Sequence, residues 1–217
     1  MPCANESAVR AAHSDMARRS GLLLSAMLLP WAASAQVVCA LAPSTASYKA
    51  SEDQRPSPDA MQLASGVNTA LSPVCTPRCP AIGVFRNTSA ANLMLIAANG
   101  EAKIVYQPQF FSMVYDNYGD GAIMALIAHE LGHALNETAP AAWIESGWPP
   151  EVRADAWAGC ALAKSGQSAT SVKEALTALS KYPSPAHPSW AQRLPALRTG
   201  FTHCGGEASK FDGAASR

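Results

Sequence analysis

The chain has 217 residues, 48% of them hydrophobic and 15% charged, with 16 basic and 16 acidic side chains. That length and apolar share suit one globular domain with a full core. A net charge of zero with no basic stripe argues against a nucleic-acid surface or a polybasic membrane patch.

The first 35 residues read as a secretory signal peptide. Arg18-Arg19 forms a positive n-region, Gly21 to Trp31 a short apolar run, and Ala33-Ser34-Ala35 an A-x-A cleavage site. Translation could start at Met1 or at Met16, and the mature chain is expected to begin near Gln36. The apolar run is too short to span a bilayer, and no later segment has 18 uninterrupted apolar residues. The expectation is a protein exported to a periplasm or to the medium, with no membrane span after cleavage. Residues 1–35 carry Arg10, Arg18, Arg19, Glu6 and Asp15, so 13 basic and 14 acidic residues remain beyond them. Five cysteines also remain, which in an exported protein are disulfide candidates. Cys75 with Cys79 would close a small loop, Cys160 with Cys204 would tie the C-terminal segment to an earlier helix, and Cys39 would be left over.

Residues 36–58 are rich in Ala, Ser and Pro and are expected to be an extended leader or linker. The domain is expected over residues 59–205, and 206–217 as a disordered tail. Asp59 to Leu71 reads as a helix with Asp59 as N-cap. Ser72 to Pro80 is a constrained loop with two cysteines. Ala81 to Phe85, Asn92 to Ala98 and Glu101 to Tyr106 read as strands, the last two joined at Asn99-Gly100, a strong hairpin signal. Pro108 then ends pairing or marks an edge. An edge at Glu101 to Tyr106 would let an extended peptide bind by strand addition. Asp116 to Gly121 reads as a turn, with Asp120 as the N-cap of the next helix.

That helix, Gly121 to Asn136, contains His129-Glu130-Leu131-Gly132-His133. Residues four apart share a helix face, so both imidazoles can hold one metal ion. Glu130 can reach a water on that ion. This is the H-E-x-x-H arrangement of two zinc ligands around a general base. The flanking residues are apolar almost all round, which predicts a buried helix. Gly132 is costly there and is expected to admit a close neighbour. Trp143 and Trp148 follow in a crossing loop, either lining a cleft or packing.

Pro149-Pro150 opens a helix through about Lys164. Its small residues, Ala154, Ala156, Ala158, Gly159, Ala161 and Ala163, would let it press against the preceding helix. Ser168 to Ser180 is a further helix with Ser171-x-x-Glu174 as a capping box. Tyr182 to Pro188 is a proline loop holding His187. Ser189 to Arg198 is a final helix kinked at Pro195.

A catalytic zinc needs three protein ligands and an open place. Glu137 shares the helix with the histidines and lies a turn too far along it. Glu145 lies on a loop. Glu151 starts a helix and has Asp155 four residues on, so Glu151 can bind zinc while Asp155 accepts a hydrogen bond from a ligand histidine. The fold class expected is α+β, mainly helical, with a small antiparallel sheet or hairpin packed on the H-E-x-x-H helix.

Three segments together resemble the gluzincins, and more narrowly the HtpX/CAAX-prenyl-endopeptidase type of zinc metallopeptidase. They are His129 to His133, Glu151-Val152-Arg153-Ala154-Asp155 as an E-x-x-A-D element, and His187-Pro188 with Arg193 six residues beyond the histidine. The resemblance implies a zincin-like domain and one Zn2+ on His129, His133 and Glu151. It implies Glu130 as general base, Asp155 behind a ligand, and His187 and Arg193 near the reacting carbonyl. Family members often carry membrane helices, and this chain shows none. The activity implied is hydrolysis of peptide bonds in a protein or peptide substrate. A zinc amidase on cell-wall peptides and a non-catalytic zinc-stabilised envelope module are the rival readings.

Overall fold

The computed structural model describes residues 36–40, 48–75, 79, 82–98, 101–181 and 187–215, with only the backbone at 36–40, 97, 98 and 101. The signal segment, the Asn99-Gly100 turn and the side chain of Cys39 lie outside that description. Among the described residues six α-helices accompany one small sheet. Strand β1 is Gln36–Ala40, β2 Gly83–Arg86, β3 Leu93–Ala98 and β4 Glu101–Tyr106. The helices are α1 Pro58–Leu71, α2 Pro108–Thr138, α3 Pro150–Lys164, α4 Ala169–Lys181, α5 Trp190–His203 and α6 Ala208–Ala215. The α+β class expected from the sequence is the one observed. Among the described residues no helix is long and apolar enough to cross a membrane.

The strands lie in the order β1-β3-β4-β2. β3 and β4 pair antiparallel, as the hairpin reading requires, while β2 runs parallel to β4. The sheet is therefore mixed. β4 is flanked on both sides, so it is not the free edge that Pro108 suggested; its backbone groups are already used by β3 and β2. Alternation along the strands splits the sheet into two faces. Leu93, Leu95, Ile104 and Tyr106 face the helices, and Met94, Ile96 and Val105 face a second cluster with Ala90 and Ala91.

Residues 36–40 and 48–58 are held by the fold rather than forming a free leader. Gln36–Ala40 adds a strand to β3, and Gln54 bridges Arg86. Tyr48 and Asn87 hydrogen-bond Asp53, each at 2.8 Å. Helix α1 is capped by Ser57, whose side chain accepts from the Ala60 amide, so Asp59 falls in the first turn rather than at the cap.

Helix α2 begins thirteen residues before the expected Gly121. Pro108 is its first residue, and the Gln107 side chain accepts the Phe110 amide, a start that suits proline. The turn expected at Asp116 to Gly121 survives as a kink at Gly119, with φ 72° and ψ −170°, a conformation open to glycine and costly to other residues. Beyond the kink Gly121 to Asn136 is buried throughout.

Small residues bring α3 against α2. A Cβ on Gly132 would lie 2.9 Å from the Ala154 Cα and 3.0 Å from the Trp157 Cβ. The opposite side of α3 meets α5 still more closely: a Cβ on Gly200 would come 1.8 Å from the Ala156 carbonyl oxygen. Disulfides join Cys160 to Cys204, across α3 and the end of α5, and Cys75 to Cys79, each with Cα atoms 5.1 Å apart. The cap of α4 is Ser168, which accepts from the Ser171 amide, not Ser171 itself. Pro195 sits within α5, which continues to His203. The expected disordered tail is helix α6, held by Phe211, which is fully buried against Phe201 with ring centroids 5.4 Å apart. Its polar flanks concealed a single apolar anchor.

Candidate metal centre

Three helices and one loop bring the site together. α2 carries His129, Glu130 and His133; α3 carries Glu151 and Asp155; the loop before α5 carries His187, and α5 itself Arg193. His129, Glu130 and Asp155 are 0% exposed. The four-residue spacings on α2 and α3 place each pair on one face, and the Gly132 contact closes the gap between the faces.

Glu151 is the hub. Its carboxylate lies 3.2 Å from His129 Nε2, 3.6 Å from His133 Nε2 and 2.7 Å from His187 Nε2. A donor atom from each of His129, Glu151 and His187 lies within 4.8 Å of the others, a cluster that could hold a metal ion. His133 stands at its margin.

Behind the cluster runs a chain of buried polar contacts. His129 Nδ1 meets Asp155 Oδ1 at 2.9 Å. Arg193 donates to both Asp155 oxygens, Nε to Oδ2 at 2.8 Å and a terminal nitrogen to Oδ1 at 2.8 Å. Its other terminal nitrogen donates to the Leu179 carbonyl at 3.1 Å. Asp155 thus contacts His129 on the ring side away from Glu151. Arg193, expected near the reacting carbonyl, is found paired with Asp155. All three of its nitrogens are committed to Asp155 and Leu179.

Charges follow from this arrangement. Burial disfavours a charged His129, but hydrogen bonds to Asp155 and Glu151 outweigh it and raise His129 to about 10. Burial also opposes ionisation of Glu151, yet its contacts with His129 and His187 hold it well below the usual carboxylate range. Asp155 is likewise disfavoured by burial and held low by the Arg193 charge. Burial pushes Glu130 up to about 8 and His133 down to about 4. In the metal-free protein a proton on His129 therefore bonds Glu151 where a cation would otherwise bridge them.

Besides Asn136 Nδ2, two buried side-chain atoms have no hydrogen-bond partner among the described residues: His133 Nε2 and Glu130 Oε1. Leaving a buried polar atom unpaired costs about 1–3 kcal/mol. Both belong to the H-E-x-x-H segment, where a cation and a water would satisfy them. The other Glu130 oxygen, Oε2, accepts the backbone N–H of Leu95 on β3 at 3.0 Å.

Of the expected site residues, His129, His133, Glu151 and Asp155 converge. His187 also joins them, as a neighbour of Glu151 within the donor cluster. Its signal in the sequence was scarcity: only four histidines lie beyond residue 35. The Leu95 amide carries no mark in the sequence, because any strand residue but proline offers one. Trp143 packs rather than lining a cleft, edge-on to Trp157 and stacked on His203 at 4.6 Å. No family model, curated protein or solved structure matches the chain.

Proposed function

We propose that the protein is an exported zinc-dependent metalloendopeptidase of the gluzincin kind, similar in its motifs to the HtpX/CAAX-prenyl-endopeptidase type. The observation that carries the reading is the position of the Glu151 carboxylate. Two donors on a tetrahedral ion, each about 2.05 Å from it, stand about 3.3 Å apart. The contacts of Glu151 with His129 and His133, 3.2 Å from Oε2 and 3.6 Å from Oε1, lie near that spacing, one on each carboxylate oxygen. The 2.7 Å contact with His187 is too short for two ligands of one tetrahedral ion. His129, His133 and Glu151 are therefore the proposed ligands, and His187 the group at the open corner.

Charge balance supports a dication. Without metal, protonated His129 and Arg193 offset Glu151 and Asp155, with Glu130 neutral. With a dication and neutral histidines, the ion and Arg193 offset ionised Glu130, Glu151 and Asp155. The buried cluster is neutral in both states, which avoids the heavy cost of an unbalanced buried charge.

Bound there, zinc would lower the pKa of a water and polarise a peptide carbonyl. Glu130 removes the proton from the attacking water through Oε1, while the Leu95 amide holds Oε2 still. Glu130 then delivers that proton to the leaving amine. His187 donates toward the carbonyl oxygen as negative charge develops there. Asp155 keeps His129 turned with Nε2 toward Glu151, and Arg193 keeps Asp155 ionised and fixed.

The test compares wild type with Glu130→Gln for zinc content and for hydrolysis of casein. Glutamine retains an oxygen for the Leu95 amide, so the variant is expected to fold and to hold one zinc while losing at least about 100-fold in turnover. Wild-type protein that holds zinc yet leaves casein and cell-wall peptides intact would contradict the proposal, as would a variant as active as wild type.

A further inference from the structure

We infer that Gln36–Ala40 occupies the strand edge along which a peptide substrate binds, so that the folded protein is latent until this segment is displaced. The inference rests on the peptidase reading above and adds its regulation.

The edge is identified by hydrogen bonding. The Gln107 amide donates to the Asn92 carbonyl at 2.6 Å, which makes 92 and 107 a hydrogen-bonded pair of the β3–β4 ladder. Such pairs alternate, so 94 with 105 and 96 with 103 follow, and Leu95 opposite Ile104 falls between them. The Leu95 N–H therefore points away from β4, toward the outer side of β3. That N–H is the one held by Glu130. The outer side of β3 is thus the sheet edge that meets the catalytic carboxylate. The other edge of the sheet, β2, is separated from β3 by β4.

β1 fills the outer side. It runs antiparallel to β3, with Gln36 opposite Ala97, Val37 opposite Ile96, Cys39 opposite Leu95 and Ala40 opposite Met94. The register shifts between Val37 and Cys39, at the position of Leu95. A bulge leaves one extra residue of its strand out of register, here Val38, beside the Leu95 amide that Glu130 holds. An extended segment thus passes the general base by strand addition, the mode by which a sheet edge captures a peptide. A tethered strand acts at an effective concentration of roughly 1 mM. If the edge binds any such strand with a Kd of about 0.1 mM, self-occupancy slows capture of a dilute substrate about tenfold.

The test is Cys39→Pro, which removes from an edge strand the donor opposite Leu95, a hydrogen-bonding position of the β1–β3 ladder by the same alternation, with Cys39→Ser as the conservative control. Val37→Asp is the second disrupting variant should the proline variant fail to fold. Full-length, zinc-loaded proteins are compared for casein hydrolysis, for exchange of the Ala97 amide, and for binding of a labelled synthetic peptide of residues 34–43. The expected results are casein cleavage at least about fivefold faster than wild type, loss of protection at Ala97, and peptide binding by the disrupted variant alone. Equal cleavage rates, or peptide binding that does not differ between wild type and a folded disrupted variant, would overturn the inference. If the peptide binds only the disrupted variant and neither protein cleaves casein, the occupied edge stands and the peptidase reading fails.

Discussion

Arg193→Met separates a positioning arginine from an oxyanion group. The guanidinium makes two charge-assisted hydrogen bonds to Asp155, both at 2.8 Å, and one to the Leu179 carbonyl. Removing it leaves the fully buried Asp155 carboxylate facing His129 alone. Breaking a buried pair from one side costs about 3–5 kcal/mol. For a domain of this size each kcal/mol moves Tm by about 2–4 °C, so the midpoint should fall by about 6–20 °C. The assay is thermal unfolding of metal-free protein by circular dichroism. The double variant Asp155→Asn with Arg193→Met should be less destabilised than the sum of its single changes by about 2 kcal/mol or more, since the two groups act as one pair. A melting point within about 2 °C of wild type, with turnover alone lost, would refute the positioning role.

Metal affinity should rise with pH. Metal-free His129 keeps its proton up to about 10 and Glu130 up to about 8, while His133 is neutral above about 4. The ion requires neutral His129 and favours ionised Glu130, so binding at pH 7 should release close to two protons. Calorimetry in two buffers of different ionisation heat measures this, and release of fewer than 0.5 protons contradicts the assignment. Gly132→Ala places a Cβ 2.9 Å from the Ala154 Cα, which must push α3, and Glu151 with it, away from the histidines. Zinc affinity in a chelator competition should drop at least about tenfold, and an unchanged affinity would show that the helix contact does not set the ligand geometry.

Residues that act through local spacing were readable from the sequence. His129 and His133, four apart on a helix, and Glu151 with Asp155, four apart on another, needed only helical periodicity to be placed on two faces. The small residues of α3 and Gly132 announced that those faces would meet. Helix α3 began where Pro149-Pro150 indicated. What depended on long-range pairing was not legible. Pro108 suits both a strand edge and a helix start, and the Gln107 cap with the tertiary contacts of Phe110, Phe111 and Val114 decided for the helix. Gln36–Ala40 carries no alternating pattern strong enough to mark a strand, and β3 alone recruits it. Arg193 looked like a site cation because arginine fits both roles; only the geometry around Asp155 distinguishes them. The tail became a helix through one phenylalanine, Phe211, whose docking place on Phe201 is set by the fold and not by its neighbours in sequence.

The most direct measurement is the metal content of purified wild type beside Glu151→Ala, taken by mass spectrometry after dialysis against sub-stoichiometric chelator. One zinc per wild-type chain and less than about 0.1 per variant chain is the predicted result, because the carboxylate 3.2 and 3.6 Å from the two imidazoles supplies the third ligand. Equal zinc in a folded variant, or none in wild type, would contradict it.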